Sequence, residues 1–416
     1  MIQGQRIRWV LCWLLFVATA LSFLDRQVLS VLAPTLTSEF QMSNTDYSRV
    51  VFAFVLSYTI MFTVGGRLID LIGARVGMAV AVGVWSVASA AHAFVTGPLG
   101  LGGARFLLGF GEGGGFPGAT KGAVEWFPIE KRVLALGIAN GGSAFGAVIA
   151  PPVTALLASR FGWRGAFVAT GLVGALWVAA WLFAFRFAPA EMRTPARATG
   201  PAVSFRELLN ERRVWYVLAA RFLFDPVFYF YMFWIPQYLS RERGFSLQEI
   251  GRWYWIPFLV LGVSNILAGR VSDALVKNGW TPRRARATLL TCAALLTPVS
   301  WLAALAPTPA WAIALMSGLM FAHGIWISNF LGLLSDLFPS KAIATVTGLT
   351  GTAGGTGGML SNLITGPVVD HYSFAPVFAV SGVLYPLALV LLLFGTRLPK
   401  LTESSGAGGE IRIARH

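Results

Sequence analysis

"ALSFLDRQVLSVLAP" runs from Ala20 to Pro34 and sets two full charges, Asp25 and Arg26, inside a segment that is otherwise apolar from Trp9 onward. A charged side chain in hydrocarbon costs at least ~2.5–3.5 kcal/mol, so an acid and a base at this depth mark a functional position. The stretch also has to be distinguished from a secretory leader. Its apolar run is too long for one, and the charged pair stands where small residues would be needed for cleavage, so it reads as a retained membrane helix.

The rest of the chain agrees. Of 416 residues, 56% are hydrophobic and 12% charged, against about 25% charged in a soluble domain. Helical crossings need roughly 20 apolar residues each. Twelve candidates are centred near residues 20, 58, 85, 112, 145, 175, 228, 262, 294, 323, 356 and 384. The net charge of +14 is topological rather than a sign of nucleic-acid binding. With the N-terminus inside, twenty of the 32 Lys and Arg fall in cytoplasmic segments, six fall outside, and six lie within or at the ends of spans. That asymmetry predicts a multi-pass protein with both termini cytoplasmic. Cys12 and Cys292 both lie in apolar segments, so no disulfide framework is implied.

A polar stretch rich in Pro, Ala, Thr and Arg divides the spans six and six. The expected organisation is an N-terminal six-helix bundle (1–188), a cytoplasmic linker (189–213), a C-terminal six-helix bundle (214–400) and a cytoplasmic tail (401–416). The halves repeat. "GRLID" at Gly66–Asp70 matches "GRVSD" at Gly269–Asp273 at an offset of 203. "WFP" at Trp126–Pro128 matches "LFP" at Leu337–Pro339 at an offset of 211, which also relates Gly137 to Gly348, Gly146 to Gly357, Phe167 to Phe378 and Gly171 to Gly382. Related halves point to a transporter with its substrate site at mid-membrane and one half rocking against the other.

"GGRLIDLIGARVG" resembles the loop signature of the major facilitator superfamily, G-x-L-x-D-x-x-G-x-R, through Gly66, Leu68, Asp70, Gly73 and Arg75. The resemblance implies an all-α membrane fold of twelve helices in two bundles around a central cavity. Within it, "FLDRQVLSVLAP", "ARFLLGFGEGGGFPGATKGAVEWFP" and "FWIPQYL" resemble the anion:cation symporter family, which couples organic anions to protons or sodium. "GATKGAVEWFP", "ANGGSAFGAVIAPP", "RFLFDP" and "FAH" make the chain most similar to that family's hexuronate (glucuronate and galacturonate) transporters. The implied protein imports a small organic anion across a bacterial cytoplasmic membrane, and a monomer is expected.

Depth places the buried charges together. Asp25 lies roughly 24 Å, and Glu112 about 22 Å, from the cytoplasmic ends of their helices at 1.5 Å per residue. Arg105 is two turns from Glu112 on the same face. Arg221 and Asp225 form an i,i+4 pair beside the helix-loosening Pro226. A guanidinium can take a carboxylate with two hydrogen bonds, which makes Arg26 and Arg221 the candidate substrate ligands. A proton carrier needs a carboxyl group balanced between desolvation and a neighbouring cation. Asp25 beside Arg26 and Glu112 near Arg105 suit that role, with Asp225 next, and the resemblance agrees, since related aldonate symporters use acids at the matching positions for proton coupling. Tyr58, Asn140, Ser143, His323, Ser328 and Asn329 are the candidates for sugar hydroxyls, and Asp70 with Arg75 for gating. Each of these has a structural reading beside it, as an ion network or as interhelical hydrogen bonding. Lys121 and Glu125, near a helix end, read as structural or gating.

Other classes find little support. "GFGEGG" at Gly109–Gly114 matches a dinucleotide fingerprint but follows no strand. "GATKGA" lacks the phosphate-loop spacing, and there is no H-E-x-x-H or G-x-S-x-G. No catalytic residue, metal site or cofactor is expected, nor a nucleic-acid partner, and the proton is the expected coupling ion. Sodium coupling and exchange remain alternative modes. Gly351 and Phe330 stand where aldonate symporters carry an asparagine and a small hydroxyl residue. With Trp326 and the run Phe228–Trp234, this keeps a monocarboxylate or aromatic acid open as the alternative substrate.

Overall fold

The computed structural model describes residues 2–189, 192, 205–397, 401–403 and 411–413, with the side chains of a few helical residues, Asp70 among them, outside the description. Most of the expected linker and tail therefore lies outside the described residues. The first half comprises α1 (Ile2–Val31), α2 (Ala33–Glu39), α3 (Asn44–Ala91), α4 (Pro98–Glu112), α5 (Gly115–Trp126) and α6 (Ile129–Ala184). A short α7 (Phe205–Leu209) falls in the linker. The second half comprises α8 (Arg212–Phe233), α9 (Ile235–Arg243), α10 (Leu247–Trp253), α11 (Trp255–Lys277), α12 (Pro282–Leu296), α13 (Val299–Ala304), α14 (Pro309–Leu337), α15 (Ser340–His371) and α16 (Ala375–Arg397). The tail adds one antiparallel pair, β1 (Leu401–Glu403) with β2 (Ile411–Ile413), to an otherwise helical protein.

Backbone angles show which breaks reverse the chain and which only bend it. Gly73 (φ 81°) and Gly162 (φ 70°) interrupt α3 and α6 in the left-handed region, where a side chain is strained, so each long helix becomes two rods. At Phe127 and Phe338 the backbone is extended and the chain turns. At Leu32, Gly113, Trp234, Tyr254 and Thr297 it stays near the helical region, so the flanking pieces continue as one kinked rod. Counted this way, the described residues form the twelve rods expected. Among the described residues, eight stretches are apolar and long enough to cross a membrane by length and composition, and one of them, Leu134–Phe187, holds two rods. The 98–126 rod is absent from that set because Arg105, Glu112, Lys121 and Glu125 interrupt it.

The internal repeat has a physical basis in packing. A methyl group added at Gly146 would meet the Ala20 carbonyl, and one at its repeat mate Gly357 would meet the Phe222 carbonyl. Gly137 and Gly348 both face open space. Gly171 and Gly382 both press on another rod's backbone, at Ser86 and at Thr297–Pro298. The 203 offset recurs at helix starts: Ser43 with Asp46 and Ser246 with Glu249 form matching capping boxes.

The chain divides into two compact units. One unit is Met1–Thr199 with Phe230–Trp255 and Met359–His371; the other is Gly200–Tyr229, Ile256–Gly358 and Tyr372–His416. The 230–255 and 359–371 segments leave the second half's unit because hydrogen bonds and ring contacts tie them to first-half residues. Tyr47 Oη donates to the Phe233 carbonyl at 2.8 Å, and the Tyr47 and Trp234 rings meet edge-on at 5.1 Å. Trp234 Nε1 in turn donates to Asn362 Oδ1 at 2.8 Å.

Candidate functional site

In the first unit the buried charges converge. Ser22, Asp25 and Arg26 occupy neighbouring turns of α1, and Arg105 and Glu112 lie on α4. Glu112 Oε2 accepts from Arg26 Nε at 2.6 Å and from Ser22 Oγ at 2.9 Å, and Arg26 Nη2 donates to Ser22 Oγ at 3.3 Å. Arg26 also lies 4.2 Å from the centroid of the Tyr58 ring and 4.8 Å from that of Phe23, which stabilises a desolvated cation. Arg105 donates to the Asp25 backbone carbonyl at 3.3 Å. The Asp25 carboxylate turns elsewhere: Oδ1 accepts from Ser89 Oγ at 2.9 Å, and Ser89 shares a 2.8 Å hydrogen bond with Thr170. None of the four charged residues is more than 4% exposed.

This pairing is crossed relative to the sequence expectation, which set Asp25 with Arg26 and Glu112 with Arg105. Adjacent helical residues do not face one another, so Asp25 and Arg26 point to different neighbours. Arg105 and Glu112 share a face but stand about 10 Å apart along the axis, too far for a direct bond. The glycines of "GFGEGG" make the approach possible. A Cβ at Gly109 would strike the Phe54 carbonyl and the Ser57 hydroxyl, and one at Gly113 would strike Met61 and the Tyr58 carbonyl. They let α4 bring Glu112 against α1 and α3.

Several polar atoms in this network have no protein partner among the described residues: Asp25 Oδ2, Glu112 Oε1, and Arg105 Nε and Nη2. Buried polar atoms are usually satisfied, which sets this cluster apart from the surrounding apolar core. With both acids ionised the four groups are neutral together. One added proton leaves a net positive charge, which suits an anion.

The second unit contains a different arrangement. Arg221 Nε contacts Asp225 Oδ2 at 2.7 Å within α8. The guanidinium lies 5.2 Å from the centroid of Phe224 and 5.7 Å from that of Phe330. Gly354 leaves room for this pair, since a Cβ there would strike Asp225 Oδ2. His323 Nδ1 pairs with Tyr385 Oη at 2.5 Å and stacks on Phe228 at 5.0 Å. Trp326, Phe330 and Tyr385 close around Phe224.

The neutral candidates divide. Tyr58 belongs to the Arg26 cluster and His323 to the aromatic one. Asn140 donates to Leu136 O and Ser143 to Asn140 O, each on its own helix. Asn329 donates to Ile325 O, also on its own helix, while Ser328 donates to Asn265 Oδ1 at 3.0 Å, an interhelical bond. In the loop signature, Gly73 supplies the positive-φ turn. The Arg75 carbonyl accepts from Trp181 Nε1 at 2.9 Å and its guanidinium lies 5.5 Å from the Phe185 centroid; the Asp70 side chain is outside the described residues. Lys121 and Glu125 pair at 3.0 Å.

Sequence reasoning missed Ser22, Ser89 and Thr170. Ser22 was recoverable from its i,i+4 relation to Arg26; lone hydroxyls at 89 and 170 carry no such signal. It also missed a latch within the first unit. Asp370, in the exposed last turn of α15, accepts from Asn44 N and Nδ2 at 3.0 and 2.7 Å and from Thr45 N and Oγ1 at 2.8 and 2.6 Å. It thereby caps α3 from a position 326 residues away. Partial burial works to raise this carboxyl, but the hydrogen bonds from Thr45 and Asn44 outweigh it and hold the group below its ordinary value.

Twelve rods, a repeated half and the Gly73 turn define a membrane transport fold, and comparison with known proteins agrees. Residues 15–362 match the Major Facilitator Superfamily. The chain belongs to that family and is a multi-pass membrane transport protein, not an enzyme. It is 30% identical over 393 residues to a hexuronate transporter of Escherichia coli K12, covering 91% of each chain. It is 29% identical over 284 residues to a galacturonate transporter of Dickeya chrysanthemi, covering 65% of this chain and 82% of that one. A bacterial homologue of the human lysosomal transporter Spinster, in an inward-facing and occupied conformation, shares the fold at a TM-score of 0.71 and 18% identity, over 94% of this chain and 95% of that one.

Proposed function

We propose that this protein imports a sugar acid of the hexuronate class by proton symport, alternating access across a bacterial cytoplasmic membrane with both termini inside. The observation that carries this reading is the Arg26–Glu112 contact beside Asp25 and Arg105, an anion-ready arginine held by a protonatable acid. The names of the relatives support the substrate class.

In this cycle Glu112 or Asp25 takes up a proton, which frees positive charge for the substrate carboxylate. Arg26 binds that carboxylate with its planar fork, and Arg221, relieved by protonation of Asp225, is the second half's anion ligand. Tyr58 and His323 serve the sugar hydroxyls. The Asp70–Arg75 loop is the cytoplasmic gate, and the Asp370 cap holds the opposite side. The carrier works as a monomer with no cofactor.

The aromatic wall of Phe224, Trp326, Phe330 and Tyr385 favours a second reading, a flatter monocarboxylate or aromatic acid. Thermal-shift measurements of the purified protein against hexuronates, aldonates and aromatic acids separate the two. Stabilisation by D-galacturonate or D-glucuronate and not by aromatic acids is the expected outcome. The reverse pattern would replace the first reading by the second.

A further inference from the structure

Asp25 is buried in a first unit whose side chains must tolerate it in two protonation states. Glu112 and Arg105 on α4 are the charged groups that face it, Arg26 is its neighbour along α1, and His92, just beyond α3, and Tyr47 lie near Arg105. From α6, Thr170 and the Phe167 carbonyl reach this group. Ser89 Oγ stands 2.9 Å from Asp25 Oδ1, 2.8 Å from Thr170 Oγ1 and 3.5 Å from Phe167 O, and Thr170 Oγ1 donates to Phe167 O at 3.2 Å. Ser89 and Thr170 are 1% and 3% exposed.

A hydroxyl can donate or accept, a carbonyl only accepts, and a carboxyl group changes from acceptor to donor when protonated. With Asp25 ionised, Thr170 donates to Ser89 and Ser89 donates to Oδ1. With a proton on Oδ1, Asp25 donates to Ser89, Ser89 turns to Thr170, and Thr170 donates to Phe167 O. Two donors meet two acceptors in the first state, and three meet three in the second. No donor is stranded in either state, which matters because an unpaired buried donor is costly.

From this geometry we infer that Ser89 and Thr170 form a reversible hydroxyl relay, ending on the Phe167 carbonyl, that positions Asp25 and sets the pH at which it exchanges its proton. They are positioning residues: Ser89 holds the acid directly and Thr170 acts on it through Ser89. The inference rests on the reading of Asp25 as a coupling group.

The test is D-galacturonate binding to the purified full chain, followed by calorimetry from pH 5 to pH 8.5, with thermal stability measured in parallel. Removing the donor to the carboxylate disfavours its ionised form, so Ser89→Ala should move the midpoint of the binding profile upward by about one pH unit, whereas Thr170→Val removes the acceptor that Ser89 needs when Asp25 is protonated and should move it downward. Thr170→Ser keeps the hydroxyl and should return the wild-type midpoint. Unmoved midpoints in both Ser89→Ala and Thr170→Val, with only melting temperature altered, overturn the relay while leaving Asp25 as a coupling group. A profile that is flat in wild type, or unchanged in Asp25→Asn, removes the coupling role of Asp25 and the relay with it.

Discussion

Both halves place an arginine against an acid in the middle of a kinked rod, yet the two pairs are built differently. Arg26 reaches from α1 to Glu112 on α4, its side chain 5% exposed and that of Glu112 0%, within a four-charge network laced with hydroxyls. Arg221 pairs with Asp225 on its own helix, at 19% and 10% exposure, with aromatic rings around it. The first arrangement holds two helices together and depends on both partners. The second is local, less buried and easier to release. A duplicated scaffold thus keeps its glycines in register while its two halves diverge in chemistry.

The sharpest test of that contrast is truncation of each acid. Glu112→Ala leaves Arg26 and Ser22 facing a buried gap and should cost about 3–5 kcal/mol. Asp225→Ala leaves a less buried guanidinium that the Phe224 and Phe330 ring faces still serve, and should cost about 1–2 kcal/mol. Melting of the purified variants reads both, and equal losses would erase the distinction.

Where the halves are alike, equivalent changes should act alike. Gly146→Ala and Gly357→Ala each push a methyl group onto a carbonyl of another rod, and each should cost about 1–3 kcal/mol. At Gly137 and Gly348, which face open space, alanine should be tolerated. A large difference within either pair would break the repeat as a packing rule.

The Asp370 cap has no repeat mate in this comparison, and its effect should be the smallest. Asp370→Ala removes the acceptor from the start of α3 and should cost about 1 kcal/mol. Because the folded carboxyl is held below its ordinary value of 3.8, its contribution is complete above that value and is lost only as pH falls through the lower, folded one. Cysteine accessibility at Asn44-side positions should rise in the variant at neutral pH. In wild type it should not rise until pH falls below 3.8.

Much of this was legible in the sequence because it is written in local patterns. Apolar run lengths gave the rods, repeat offsets gave the paired glycines and capping boxes, and the i,i+4 spacing gave Arg221–Asp225. The depth estimate brought Asp25 and Glu112 to one level because helical rise is constant. Rotation about the helix axis was the missing quantity. It decides that Arg26 meets Glu112 rather than Asp25, and depth alone does not supply it. Ser89 with Thr170, and Asp370 with Asn44, join residues far apart in the chain through types too common to stand out. Long-range contacts of the same kind draw segments 230–255 and 359–371 into the first unit.

The central claim is that the buried acids of the first half carry the proton that drives substrate uptake. Purified protein in sealed vesicles, given labelled D-galacturonate and an imposed pH gradient, tests it directly. Wild type should concentrate the label, and Asp25→Asn and Glu112→Gln should exchange it without concentrating it, each amide standing in for the protonated acid. Accumulation by both variants at the wild-type level, under the pH gradient alone, would contradict the account.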